Sequence, residues 1–219
     1  MFVSVWLGLL ALMLRDVVAA SAVWRDPDTG LSFASDTRAY KVGAGQAITF
    51  RIAVPGDAQP YTNYDLVVQI VAPNEVGWAG LAWGGSMARN PLFVVWKATD
   101  SKIVTGSSRW SNGHFTPSAY TGTQYTVYKS GTKSNNTHWQ ITAKCSGCAT
   151  WTTTDGGTRY LSPRGGNRLA MAYSPTKPSS PNSNTSTIAV HDVHDYWSSE
   201  FNLASNPNFA TIVQSLQTL

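Results

Sequence analysis

Charge is the first thing this chain is short of. Only 13% of its 219 residues are charged, and its sixteen basic residues are scattered rather than clustered. Without a Lys/Arg cluster there is no electrostatic footprint for nucleic acid, and the net charge of +4 reads as a solvated surface. The familiar catalytic motifs are missing too. No Gly-rich phosphate loop, Gly-x-Ser-x-Gly elbow, His-Glu-x-x-His helix or Gly-x-Gly-x-x-Gly segment occurs. Those absences remove the nucleotide, serine-hydrolase and zinc-protease readings. Acidic residues are few and sit mostly in turn sequences, so nothing marks a glycosidase pair. Cysteine is limited to Cys145 and Cys148, in Cys-Ser-Gly-Cys. Two thiolates do not complete a zinc site, and no βαβ context accompanies them, so an exported chain is expected to join them as a disulfide.

Long apolar runs are also absent, except at the start. Residues 1–22 are apolar from Phe2 to Leu14, broken by Arg15 and Asp16, and end in Ala20-Ser21-Ala22. That run is too short to span a bilayer and reads as a secretory signal, with a mature domain over residues 23–219 beginning at Val23. The mature chain is expected to be extracellular, free of membrane spans, monomeric and a single domain.

What is abundant is aromatic and β-forming. Nine Trp and nine Tyr accompany many Ser, Thr and Gly. Ile48 to Val54 alternates as a half-buried strand does, while Leu66 to Val71 and Leu92 to Trp96 are continuous apolar runs of the doubly buried kind. Tyr125–Tyr128, Trp139–Ala143, Arg168–Tyr173 and Thr187–Val190 add shorter strands. Turn signals such as Pro55-Gly56-Asp57 and Asp155-Gly156-Gly157 separate them. The prediction is an all-β fold, a two-sheet antiparallel β-sandwich. A short C-terminal helix is expected to carry Phe209, Ile212, Val213 and Leu216 on one face, capped by Asn206 or Asn208. The polar stretch of residues 174–186 reads as a surface loop that buries nothing. Asn135-Asn136-Thr137 and Asn184-Thr185-Ser186 are glycosylation sequons.

Candidate metal ligands are few. Beyond the signal only Met87 and Met171 remain, with His114, His138, His191 and His194. Met171 alternates within Leu169–Tyr173 and reads as core. Met87 follows Gly84-Gly85-Ser86 between two apolar strands. Paired glycines there allow backbone to approach a flat group, and the thioether can then project from the turn. An ordinary packing methionine remains the alternative.

The segment Trp78–Trp96, WAGLAWGGSMARNPLFVVW, resembles the haem-binding segment of the cytochrome domain of fungal cellobiose dehydrogenases. The likeness continues in order through Ser108-Arg109-Trp110-Ser-Asn-Gly113, Pro117-Ser-Ala-Tyr120-Thr-Gly122, Thr137-His138-Trp139, Cys145–Trp151 and Ser186-Thr187-Ile-Ala-Val-His191. It implies a sandwich holding a non-covalent haem b between Met87 and His191. No Cys-x-x-Cys-His attachment motif is present, in agreement. Because Asp192-Val193-His194 follows, His194 is the rival ligand. The spacing after Ser186-Thr187 favours His191, and Thr187–Val190, read as a strand, would deliver it rigidly. His194 would then fall in a less regular stretch or a helical turn. His114 stands where the family carries an aromatic near a haem propionate, though an exposed loop histidine fits that position equally. Arg109 and Tyr120 are further propionate candidates on chemical grounds. Trp78, Trp83 and Phe93 are candidates to wall the haem.

The resemblance implies a carrier of single electrons. Two axial ligands leave the iron no open site, and a neutral thioether raises its potential. The implied donor is a flavin dehydrogenase, as a domain or a separate chain. The implied acceptors are copper polysaccharide monooxygenases or ferric iron, which includes the possibility of a ferric reductase. A haem-free carbohydrate-binding sandwich is the competing expectation, since exposed tryptophans suit sugar stacking.

Overall fold

The structure, a computed structural model, describes residues 21–40, 46–99 and 104–219. The expected signal lies outside the described residues, apart from Ser21 and Ala22. Both belong to the fold. Ala22 opens the first strand, and the Ser21 hydroxyl donates to Asp36 Oδ1 at 2.5 Å and accepts from the Glu200 amide at 3.0 Å.

The strands run in chain order as β1 (Ala22–Arg25), β2 (Ser32–Ala39), β3 (Ala47–Pro55), β4 (Leu66–Pro73), β5 (Trp78–Trp83), β6 (Leu92–Lys97), β7 (Val104–Trp110) and β8 (Ser118–Ala119). They continue as β9 (Gln124–Val127), β10 (Lys133–Ser134), β11 (His138–Ser146), β12 (Thr150–Thr152), β13 (Thr158–Tyr160), β14 (Gly166–Ser174), β15 (Val193–Glu200) and β16 (Ser205–Asn206). A helix, α1 (Phe209–Ser215), follows.

Two sheets result. The first has the order β1-β2-β3-β4-β11-β10, with β9 added on β11 and β16 on β3; the second runs β15-β14-β5-β6-β7-β8. Every pairing is antiparallel except the short β16–β3 contact. Between the sheets lies a core that includes Phe50, Ile70, Leu81, Trp83, Phe93, Trp139 and Met171. Fully burying each such side chain contributes roughly 1.5–3 kcal/mol, which is what makes the sandwich stable.

Each sheet is also covered on its outer face. On the first, α1 lays Phe209, Ile212, Val213 and Leu216 against Leu31, Phe33, Ala53 and Val67. The helical stripe is as its spacing predicts. Asn208 is the cap residue, without a side-chain cap bond. Asn206 ties strands instead, exchanging hydrogen bonds with the backbone N–H and C=O of Ser32, each at 2.8 Å. On the second sheet the cover is the segment between β14 and β15. This corrects the reading of residues 174–186 as a loop that buries nothing. Its Pro181 carbonyl accepts from Trp96 Nε1 at 2.7 Å and from Thr105 Oγ1 at 2.9 Å, and Ser186 and Ile188 are buried. A polar segment can pack on a sheet when that sheet supplies donors for its carbonyls.

Two further readings need correction. Thr187–Val190 is not a strand; it crosses the sheet face, and its Thr187 carbonyl accepts from the Ser179 amide within the same segment. The stretch containing His194, expected to be irregular or helical, is the start of β15, with His194 opposite Ala172.

Candidate cofactor cleft

The outer face of the second sheet carries a trough written in its register. In one row Tyr196, Ala170, Ala82 and Leu92 stand opposite one another across β15, β14, β5 and β6. In the next row stand His194, Ala172, Gly80 and Val94. Each row runs large, small, small, large. Neighbouring strands lie about 4.8 Å apart, so the two central strands form a floor with no side chain beyond a methyl group. Facing the opposite way on the same strands, Leu81, Trp83, Leu169 and Met171 fill the inter-sheet core.

Above this floor is a cleft of about 280 Å³. That is near the lower end of the roughly 300–1,000 Å³ usual for ligand pockets. Met87 lies on one side, His114 to Pro117 form a second wall, and Ile188 to His191 form a third. No helix among the described residues is long and apolar enough to cross a membrane.

Met87 is held by a built turn. Gly84 and Gly85 have φ of +86° and +82°, and Arg89 adopts +61°. Left-handed backbone at consecutive residues is what glycine permits. A Cβ on Gly84 would fall 2.5 Å from Asn90 Oδ1, and one on Gly85 2.4 Å from Arg168 Cγ. The glycines therefore serve the turn and its neighbours, and it is Gly80 and the three alanines that leave the floor of the cleft open. Asn90, which the sequence did not single out, pins the turn. Its amide donates to Ser86 O at 3.0 Å, Ser86 Oγ at 2.7 Å and Ala88 O at 3.1 Å. The Arg89 amide donates to Ser111 O at 2.7 Å, which ties the turn to the wall that follows.

The histidines converge. The rings of His191 and His194 are 5.2 Å apart, edge to face, and His194 meets Tyr196 the same way at 5.5 Å. His114 and His191 both line the cleft. Burial first, and then the neighbouring His194, hold His191 below the ordinary imidazole value; His114 adds to this and Asp192 opposes it. A histidine kept neutral is one ready to act as a ligand. His138 sits in β11 of the other sheet.

Of the expected site residues, the structure brings together Met87, His114, His191, His194 and Trp78. Others it does not. Trp83 is fully buried between the sheets, its indole N–H donating to Tyr125 OH at 2.9 Å. Phe93 stacks on Tyr125 in the same core, with ring centroids 3.9 Å apart. Strand alternation turns both away from the cleft. Tyr120 stacks on Trp110 with centroids 4.9 Å apart and is not part of the cleft lining. Arg109 also lies outside the lining; it is buried in β7 with its donors spent on protein oxygens. Cys145 and Cys148 are joined and buried on the side of the first sheet, where the Tyr125 hydroxyl donates to Cys148 Sγ at 3.2 Å.

The donor set suits a planar iron macrocycle. A thioether and a neutral imidazole border a flat apolar floor, and the cleft lining contains no carboxylate. Soft and nitrogen donors favour iron or copper over hard cations. Among the described residues no cluster of three His, Cys, Asp or Glu forms a bare-metal site.

Comparison with known proteins agrees with this site. The family model for the cytochrome domain of cellobiose dehydrogenase matches residues 24–211. A pyrroloquinoline quinone-dependent pyranose dehydrogenase of Coprinopsis cinerea is 30% identical over 188 residues, 84% of this chain and 24% of the relative. The chain thus spans about a quarter of that protein's length. The crystal structure of the cytochrome b domain of the Coprinopsis cinerea pyranose dehydrogenase superposes with a TM-score of 0.75 at 25% identity, covering 90% of this chain and 96% of that one. The cytochrome domain of Myriococcum thermophilum cellobiose dehydrogenase shares the fold, with a TM-score of 0.77 at 23% identity over 91% and 98% of the two chains. The chain belongs to the cytochrome-domain family of cellobiose dehydrogenase, a membership that implies electron transfer and a haem b.

Proposed function

We propose that this domain carries single electrons on a non-covalent haem b in the trough, which Met87 sulfur and His191 nitrogen would hold. The observation that carries the reading is the floor of Gly80, Ala82, Ala170 and Ala172 with a thioether and a neutral imidazole on its border. The bound haem supplies one-electron Fe(III)/Fe(II) exchange. Met87 and His191 would hold the iron and leave it no open position for a small-molecule ligand. Trp78, Leu92, Val94 and Ile188 keep water from the floor, and a site that is already formed needs little reorganisation when charge changes. His114, at the mouth, offers a donor to a propionate. Family membership sets aside the haem-free carbohydrate module.

The setting is extracellular, with processing ahead of Ser21 because Ser21 is bonded to Asp36 and Glu200. N-terminal sequencing of the secreted chain reads that point; a start at Val23 would refute it. The donor is a sugar-oxidising dehydrogenase, flavin-dependent as in cellobiose dehydrogenase or quinone-dependent as named for the Coprinopsis relative. The acceptor is a copper polysaccharide monooxygenase or ferric iron. One spectrum tests the core of this reading: the purified chain, reduced, is expected to give the sharp bands of six-coordinate low-spin haem. A colourless chain that takes up no added haemin would end it.

A further inference from the structure

Arg109 sits where a charge is costly. It is 5% exposed in β7, and none of the carboxylate ion pairs among the described residues involves it. A buried guanidinium persists only if its donors are matched with acceptors. Here Nε donates to Ser107 Oγ at 2.6 Å and Nη1 to Pro117 O at 3.2 Å. Nη2 donates to Asn184 O at 3.2 Å and Ser186 O at 2.6 Å. Ser107 Oγ completes the set, donating to Asn184 O at 2.5 Å.

These acceptors belong to two different walls of the cleft. Pro117 ends the wall that contains His114 and Phe115. Asn184 and Ser186 lie in the cross-over that leads to Ile188 and His191. None of the three carbonyls accepts from a backbone amide in the turns and loops. Among the described residues no other side chain hydrogen-bonds to both walls. Only arginine spreads five donors over a rigid planar fork; lysine, a point charge with three rotatable donors, cannot reach both sides in fixed geometry.

We propose that Arg109 is the positioning residue of the cleft: its buried guanidinium ties the His114–Pro117 wall and the His191 wall to β7 and thereby sets the width into which the haem fits. This rests on the haem reading above. Arg109 acts through the carbonyls it holds, not by touching the group.

Three variants test it: Arg109→Met, Arg109→Lys and Ser107→Ala. Hydrogen exchange on the haem-free chain is read over residues 114–117 and 184–191. Haem transfer to excess apomyoglobin gives the dissociation rate, and redox titration gives the potential. Arg109→Met is expected to speed exchange in both segments together and to raise haem dissociation roughly tenfold or more, the effect of losing hydrogen bonds to a charged group. Arg109→Lys keeps the charge, so its potential should stay near that of the parent while dissociation is still faster. Folded Arg109→Met with unchanged exchange in either wall overturns the proposal. So does an Arg109→Lys protein that retains haem as the parent does, which would make charge rather than geometry the cause. If Arg109→Met does not fold, Ser107→Ala decides, with faster exchange at 184–191 expected and no change refuting. Absence of haem binding in the parent chain would sink the haem reading but leave the exchange result standing on its own.

Discussion

Two histidines, three residues apart, compete for one bond to iron. Family spacing points to His191. Rigidity alone would now choose His194, because it is the residue held in β15 while His191 precedes the strand. Environment supports the proposal of His191, although both rings line the cleft. His191 is half-buried on the cleft lining and its imidazole is kept neutral, whereas His194 is exposed at the trough edge. Since the folded value is lowered from 6.5, the unfolded chain takes up the proton first as pH falls. This histidine's effect is therefore fully present above 6.5, and apo-protein stability declines as pH drops below it. We expect His191→Ala to lose low-spin haem and His194→Ala to keep it, in haem titrations followed by absorbance. The reverse pair of results would move the ligand to His194. Met87→Ala should likewise lose the six-coordinate spectrum while the sandwich folds, and Met87→His should keep the haem at a lower potential. The ligand types were legible because so few methionines and histidines exist. Asn90 was not, since an asparagine after a turn looks the same whether or not it pins a ligand.

At the scale of elements, legibility followed apolar patterning. β3, β4, β6 and β14 announce themselves through alternation or continuous apolar runs. β2, Ser32–Ala39, does not, because five of its eight residues are polar and its pairing with β1 and β3 makes it a strand. Thr187–Val190 misled for the opposite reason: its β-branched residues have strand propensity, but side chains of the sheet hold the carbonyls of Pro181, Asn184 and Ser186 just before it and lead it across the sheet face rather than along an edge. The trough itself has a signature that went unread. Gly80 and Ala82 alternate with Leu81 and Trp83, and Ala170 and Ala172 with Met171 and Tyr173. Two successive small apolar residues at outward positions of both strands are not a solvated face, which would be polar. Filling that face should therefore block the site and spare the fold. Ala172→Leu places a larger side chain on the floor opposite Gly80. It is expected to reduce haem uptake at least about tenfold while thermal unfolding of the apo chain shifts by no more than a few degrees, the response to roughly 1 kcal/mol. Full haem loading in this variant would show that the floor is not where the group lies.

For the molecule as a whole, three apolar layers matter: one between the sheets, one under α1, and one on the outer face of the second sheet. The first two are closed by the chain itself. At the edge of the inter-sheet layer Cys145–Cys148 closes a local ring at the end of β11, which contributes about 2 kcal/mol on chain-entropy grounds. The third is left open at the cleft, with Phe115 and Val190 exposed at its lip, 73% and 80% respectively. Haem that binds only the folded chain adds stability in proportion to the logarithm of its concentration over its dissociation constant, about 4 kcal/mol at a thousandfold excess. We expect the loaded chain to melt several degrees above the apo chain in calorimetry. Equal melting temperatures would mean that the cofactor is not part of the fold's energetics.

The outward face of β5 and β14 has a consequence for the chain's life before it is loaded. The apolar face with Trp78, Leu92 and Val94 is covered only in part, by the segment that carries Ile188, and the cleft beside it stays open, so the newly made domain carries an unfinished seam. Until haem arrives, that seam can adhere to another copy, to a detergent or to a chaperone. Loading is then more than the gain of a chromophore. On the proposed reading it is the step that closes the last open apolar layer of the domain.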